Sequence, residues 1–244
     1  MYEARNHLLV CTENLEPKLH SHSAAHIMIS LNDKINVFIK NETIQCRGIV
    51  IPSGVAHTAN IDVNKVLIFL FDNTTSVAKQ IIRAKILSEE VVDRIEEAYY
   101  LLENSEKLSS HYSKFMNYVY EGTNLNVVEK EKYDDRIKSA LTFIRGNLQE
   151  EIVCKDVANH IFLSEGRFSH LFKEQVGMTF SAYLIYQRVM KVYTEILNGK
   201  SITEAAIESG FSSSTHFAET NKRLFGLSAS IIKKDLIFYK IAEI

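Results

Sequence analysis

Two periodicities divide the chain. Up to about residue 72 the apolar residues come in short runs, HIMISL, INVFIK, GIVIP and KVLIFLF, rich in β-branched and aromatic side chains. Polar or turn-forming clusters (NDK, KNE, PSG, DVN) separate them, the pattern of short strands in a sandwich or small barrel. From about Thr74 the period lengthens to that of a helix, and VAKQIIRAKIL, SEEVVDRIEEAYYLLE and SSHYSKFMNYVYE predict three helices. In the second, Val91, Val92, Ile95, Ala98, Tyr99 and Leu102 form an apolar stripe at i, i+3, i+4, i+7 spacing. Such a stripe either packs on its own domain or pairs with the same helix of a second subunit. The polar stretch GTNLNVVEKEK, residues 122–132, predicts a linker.

The last 110 residues repeat a helical unit. SITEAAIESGFSSSTHF, from Ser201 to Phe217, reads as a short helix, a turn and the start of a second helix. Ser201 and Glu204 form a capping box, Gly210 suits a turn of positive φ, and Ser213 caps the second helix. An earlier copy, KDVANHIFLSEGRFSHLFK, matches it. Ala158 falls on Ala206, Leu163 on Phe211, Phe168 on Phe217 and Lys173 on Lys222. The second copy is one residue longer at the turn, which makes Ser164 and Ser213 equivalent caps. The composition is that of a helix-turn-helix, whose second helix enters the DNA major groove. Between the copies, TFSAYLIYQRVMKVYTEILN predicts a buried central helix of about 30 Å. That is close to one turn of B-DNA, roughly 34 Å, so two reading helices would meet successive major grooves.

Histidines mark the strand-rich part. His20, His22 and His26 have even spacing and share one face if the strand is regular. A second group, GIVIPSGVAHTAN, brings His57. Together they resemble the paired motifs of the cupin fold, in which an H-x-H, a Glu three or four residues on and a later His form a metal site. His20, His22 and His57 match, and His26 stands in place of the Glu. The four are candidates to line a ligand pocket, and imidazoles also admit zinc, iron, nickel or copper.

The back half resembles the DNA-binding domain of the AraC family of bacterial transcription regulators over about residues 134–235. The resemblance rests on S-I-T-E-x-A, G-F-S-S, H-F and K-R-x-F-G in the second unit, and on D-V-A, L-S, F-S-x-L-F-K, Gly177 and Arg188 earlier. A cupin-like front, helical middle and two-motif back are that family's usual order. The resemblance implies an α+β protein of two domains. Residues 1–73 would form a cupin-like sensor barrel, 74–121 a helical dimerisation and coupling region, and 133–244 the DNA-binding domain with two helix-turn-helix units. The residues expected at bases are Gly166, Arg167, Ser169 and His170, then Ser214, Thr215, Ala218 and Glu219. Lys173, Lys222 and Arg223 are placed for phosphate, and Arg188 for a structural role. The chain departs from the family at Glu219, where Arg is frequent, at Asn221, usually a core Phe, and at Ala229, usually Pro. Asn221 should loosen the second unit or find a polar partner there.

Charge and composition alter this picture little. Residues 1–131 carry 13 Lys+Arg against 17 Asp+Glu, and the remainder carries 15 against 13. A mildly positive back half permits phosphate contacts without demanding them. Cys11, Cys46 and Cys154 are odd in number and far apart, giving no disulfide framework and fitting a reducing cytoplasm. No run approaches the roughly 18 apolar residues needed to span a membrane, and the N-terminus carries no signal-peptide pattern. The expectation is a cytoplasmic, non-enzymatic DNA-binding regulator with no required cofactor. Its partners would be double-stranded DNA, a second copy through the 74–121 helices, a small effector and, for an activator, RNA polymerase. The alternative is a metal-dependent cupin enzyme with a helical accessory domain, although the cupin Glu is missing.

Overall fold

The computed structural model describes the chain except for residues 1, 4–6, 14–18, 61–64, 72, 74, 105–107, 127–132, 226–238 and 241–244. Among the described residues the front half builds two sheets, antiparallel except at the β1–β10 pair. The larger is formed by β1 (Tyr2–Glu3), β2 (His7–Thr12), β3 (Ala25–Ser30), β6 (Gly48–Ile51), β8 (Val66–Phe71) and β9 (Lys85–Ile86), joined by β10 (Tyr239–Lys240) from the end of the chain. Its order is β10-β1-β2-β8-β3-β6-β9, with β10 lying parallel to β1 at one edge. The smaller sheet contains β4 (Ile35–Ile39), β5 (Glu42–Cys46) and β7 (His57–Asn60), in the order β5-β4-β7. The expected barrel is therefore two separate sheets, with no closed barrel among the described residues.

The period of two along a strand sorts its side chains between two cores. From the central strands, Leu8, Val10, Met28, Ile68 and Leu70 join Val37, Ile39 and Ala59 of the small sheet. The alternate residues, Leu9, Ile27, Ile29, Phe69 and Phe71, face helices instead. Both faces of β8 are thus covered, which is why VLIFLF is apolar throughout.

Those helices are α1 (Ser76–Gln80), α2 (Glu89–Glu103) and α3 (Leu108–Thr123). Helix α1 is shorter than the sequence predicts. It stops at Gln80, and Lys85–Ile86 pairs with Ile49 and Val50 as β9. The apolar stripe of α2 is settled toward its own domain, since Val92, Ile95, Ala98, Tyr99 and Leu102 lie in the core with Phe115 and Val119 of α3. Arg47 fastens α2 to the sheet through Asp93, Glu96 and, at 3.4 Å, Glu89. Of the predicted linker, Gly122 and Thr123 close α3, and 127–132 lie outside the described residues.

The back half consists of α4 (Asp135–Gly146), α5 (Cys154–His160), α6 (Glu165–Val176), α7 (Phe180–Leu197), α8 (Ile202–Glu208) and α9 (Ser214–Phe225). Helix α7 joins two cores. Its first turns give Phe180, Tyr183 and Leu184 to a cluster with α4, α5 and α6. Its later turns give Val189, Tyr193 and Ile196 to Ala205, Ala206, Phe211 and Phe217.

Candidate functional site

The two short helical pairs are equivalent at the level of the backbone. In the first, Leu163 N–H donates to Ala158 O at 2.9 Å; in the second, Phe211 N–H donates to Ala206 O at 3.0 Å. Ser164 Oγ accepts from Arg167 N at the start of α6, and Ser213 Oγ accepts from His216 N at the start of α9. Each cap satisfies a donor that the helix start leaves unpaired. The capping box at Ser201 is formed, with Glu204 Oε2 accepting from Ser201 N at 3.0 Å.

The turns differ in one chemical respect. Gly210 holds φ +88°, and Phe162, its counterpart, holds φ +56° and is 94 % exposed. A Cβ at Gly210 would lie 2.4 Å from Leu148 O and 2.7 Å from Arg188 Nε. Arg188 donates to Leu148 O at 3.0 Å and to Glu150 O at 2.7 Å. One side chain of α7 therefore bonds the loop after α4 and packs beside the turn before α9.

On α6, Phe168 and Phe172 are buried, leaving Gly166, Arg167, Ser169, His170 and Lys173 exposed along the opposite face. Space around Gly166 is open to 4 Å and its φ is not left-handed. On α9, Phe217, Thr220 and Asn221 are buried, while Thr215, Glu219, Lys222 and Arg223 are exposed and Ser214 and Ala218 are half-buried. Asn221 finds its polar partner in the Tyr193 hydroxyl, which donates to Asn221 Oδ1. Sequence reasoning passes over His216, an exposed residue of α9 whose Nδ1 pairs with Ser212 Oγ at 3.0 Å.

In the front half the four singled-out histidines come together, though not on one strand. His26 lies on β3, His57 begins β7, and His20 bridges to His57 through backbone bonds of 3.0 and 2.9 Å. Ring centroids of His20, His22 and His26 lie 4.6, 5.3 and 4.4 Å from that of His57. One ligand atom each from His20, His22 and His57 falls within 4.8 Å of the others. Burial pushes the pKa of His22 down to about 3, helped by His57 and His20, and that of His57 to about 4. Burial likewise holds His26 well below the ordinary histidine range. These three rings are neutral at neutral pH, the form that ligates metals.

The halves meet beside this cluster. Ser23 N–H and Oγ–H donate to Arg223 O at 3.0 and 3.1 Å, and Ala24 N–H donates to Leu224 O at 3.1 Å. Tyr186 of α7 also donates to His7 O at 3.1 Å.

A helix-turn-helix domain family matches residues 157–235, from within α5 to beyond α9. The chain is 31 % identical over 114 residues to the TetD protein of transposon Tn10 from Escherichia coli, covering 44 % of this chain and 83 % of that one. It is 28 % identical over 105 residues to the regulatory protein PocR of Salmonella typhimurium, of which the match spans 35 %, and 43 % of this chain. Among solved structures, ToxT from Vibrio cholerae shares the fold at a TM-score of 0.55 and 13 % identity, over 94 % of this chain and 98 % of that one. A second ToxT structure, with an unsaturated fatty acid bound, aligns at a TM-score of 0.51 and 12 % identity, over 93 % and 95 %. No described helix is long and apolar enough to cross a membrane. The shared helix-turn-helix segment and the relatives that carry it settle the assignment, and the chain belongs to the AraC family of DNA-binding transcription regulators.

Proposed function

We propose that both helical pairs read DNA, that α6 and α9 are their reading helices, and that an effector held by the front half controls them. The observation that carries this reading is the backbone equivalence of the two pairs across α7. Matching turn bonds and matching serine caps present α6 and α9 in the same way. Arg167, Ser169 and His170 are the base-reading candidates on α6, and Lys173 is suited to phosphate. Gly166 supports a close approach by DNA, since neither backbone angle nor packing calls for a glycine there. On α9 the corresponding set is Ser214, Thr215, Ala218 and Glu219, with Lys222 and Arg223 for phosphate. Glu219 can accept from cytosine N4 but repels phosphate.

Effector control is supported by the bonds from Ser23 and Ala24 to the end of α9. ToxT, with the same fold, has been solved with a fatty acid bound, so a small ligand fits this architecture. Control needs an effector with different affinities for two arrangements of the halves. A second copy would pair through the apolar residues that α2 and α3 leave exposed, Leu101 and Tyr118, since the buried stripe is already used. The helix-turn-helix match and the relatives favour a regulator over the metal-dependent enzyme.

The test is binding by the full chain to DNA fragments recovered through in vitro selection, measured across a salt series. A salt-sensitive, sequence-selective interaction protecting two successive major grooves is expected. Protection of a single groove would overturn the two-unit reading.

A further inference from the structure

We infer that His20, His22 and His57 bind a divalent transition-metal ion, and that filling this site controls the second reading helix through the segment that carries His22. The inference rests on the proposed control of DNA reading by the front half, and names the effector and its route.

The donor set defines the ligand. Three imidazoles offer one nitrogen each within 4.8 Å of the others. His57 Nδ1 lies 2.8 Å from Val55 O. A carbonyl only accepts, so Nδ1 carries the proton and Nε2 presents its lone pair. That is the outer-shell arrangement that orients metal-binding histidines. Among the described residues, His22 Nδ1 is buried without a hydrogen-bond partner. A buried polar atom left unmatched costs about 1–3 kcal/mol, and ligation removes that cost at His22 where Nδ1 is its donor atom. The group contains imidazoles alone. It therefore suits zinc, nickel, copper or iron(II), whereas calcium and magnesium prefer oxygen donors. Three histidines around zinc leave one coordination position open.

The geometry also supplies a consequence. A tetrahedral ion with Zn–N bonds of about 2.0–2.1 Å sets its nitrogens about 3.4 Å apart. Binding would draw the three rings inward from their present spread. Two of them are fixed to each other by the His20–His57 bridge. The third, His22, is held by Gly54 N–H donating to its carbonyl at 2.9 Å. The next two residues reach the other half. Ser23 and Ala24 donate to Arg223 O and Leu224 O, carbonyls in the last turn of α9, where the helix supplies no donor of its own. Residues 22–24 thus link a metal ligand to the end of the reading helix within three positions. Movement of His22 is transmitted to the cap of α9 by backbone alone.

The test uses the full chain, freed of metal by chelation, with Zn²⁺ and Co²⁺ as probes. One ion per chain is expected, with Co²⁺ giving the visible absorption of a tetrahedral site. The H20A/H57A variant should bind at least about 10-fold more weakly. Affinity for a selected DNA fragment should change at least about fivefold on adding Zn²⁺, and not change in H20A/H57A. Ala24→Pro, which removes the donor to Leu224 O, should keep the ion and lose most of the change. If A24P loses the ion, Ser23→Ala serves instead, since it deletes only the Oγ bond, and the change should diminish. Equal ion binding by H20A/H57A would overturn the site. Stoichiometric binding with unaltered DNA affinity would overturn the coupling. In either case, salt-sensitive DNA binding by metal-free protein would leave the proposed function standing, whereas its absence would remove that too.

Discussion

The Tyr193 hydroxyl donates to Asn221 Oδ1 inside the core of the second helical pair, where both side chains are almost wholly buried. The equivalent position in the first pair is Phe172, packed edge-on to Phe168 with ring centroids 5.3 Å apart. One unit fills its core with an aromatic ring, and the other with an amide and the phenol that satisfies it. Either partner alone is then a liability. Tyr193→Phe or Asn221→Leu should each cost about 1–3 kcal/mol, since each breaks a buried polar bond. The double variant should recover most of that loss. Urea unfolding of the four proteins in a mutant cycle measures the coupling, and strict additivity would show that the bond contributes nothing.

The two turns make opposite predictions for glycine. Gly210→Ala combines a left-handed φ with a Cβ driven onto Leu148 O and Arg188. It should destabilise the second pair by more than about 1–2 kcal/mol, the usual cost of left-handed backbone alone. Phe162→Gly relieves the same backbone region of a bulky side chain that packs on little, so it should be neutral or stabilising by up to about 1 kcal/mol. Thermal melts of both variants check the contrast.

Sequence selectivity should lean on α6. Arg167→Ala combined with His170→Ala should weaken binding to a selected DNA fragment by about tenfold or more, since a good base contact contributes about 1–3 kcal/mol. Changes at Thr215 and Ala218 should have smaller effects, because Glu219 beside them opposes the DNA charge. Lys173→Ala should lower the salt slope by about one ion with little change in selectivity. Gly166→Ala should stabilise α6 by up to about 1 kcal/mol, so any loss of affinity there reports contact with DNA. Fluorescence anisotropy over a salt series reads all four. The ranking fails if the α9 changes abolish binding while the α6 changes leave it intact.

Buried neutral histidines should make the front half acid-sensitive. His7 lies against Phe71 and Tyr112, its Nε2 2.7 Å from the Tyr112 hydroxyl, and burial pushes its pKa down to about 3. An unfolded histidine titrates near 6.5. Between pH 6.5 and about 3 the unfolded chain therefore binds more protons than the folded one, and stability falls as pH falls. Each such residue contributes a slope of at most about 1.4 kcal/mol per pH unit. His22 and His57 act in the same direction. Urea midpoints measured from pH 7.5 to 5 should decline, and His7→Phe should flatten part of that decline.

The back half is legible in the sequence because its signals are local. A capping box, a glycine at φ +88° and serine caps act within four residues of themselves, and the repeat doubles the pattern. The front half is less so. Two sheets and a closed barrel have the same strand periodicity, and the choice between them depends on long-range pairing. Strands β5 and β7 are short and partly polar, so ETIQC and HTAN carry little signal. The apolar pattern of VAKQIIRAKIL predicts one helix, yet Lys85–Ile86 is taken by the free edge of β6. Even spacing points to the histidines for a reason that does not hold. They converge through a bridge between distant segments, not by sharing one strand. Nothing local marks Ser23 and Ala24, whose importance lies in bonds to residues 200 positions away.

Arg188 reaches from α7 to the loop that leaves α4, directly beneath the turn that introduces α9. If both pairs read DNA as proposed, α7, seated in both cores, should hold them against sliding or swivelling. A protein joined by a slack tether could follow half-sites set closer or farther apart. On that reading, one helix and one guanidinium would set the spacing. Inserting about five base pairs between the half-sites, roughly half a turn of B-DNA, would put one recognition surface on the far side of the duplex. The burden of adjustment would then fall on twisting the DNA.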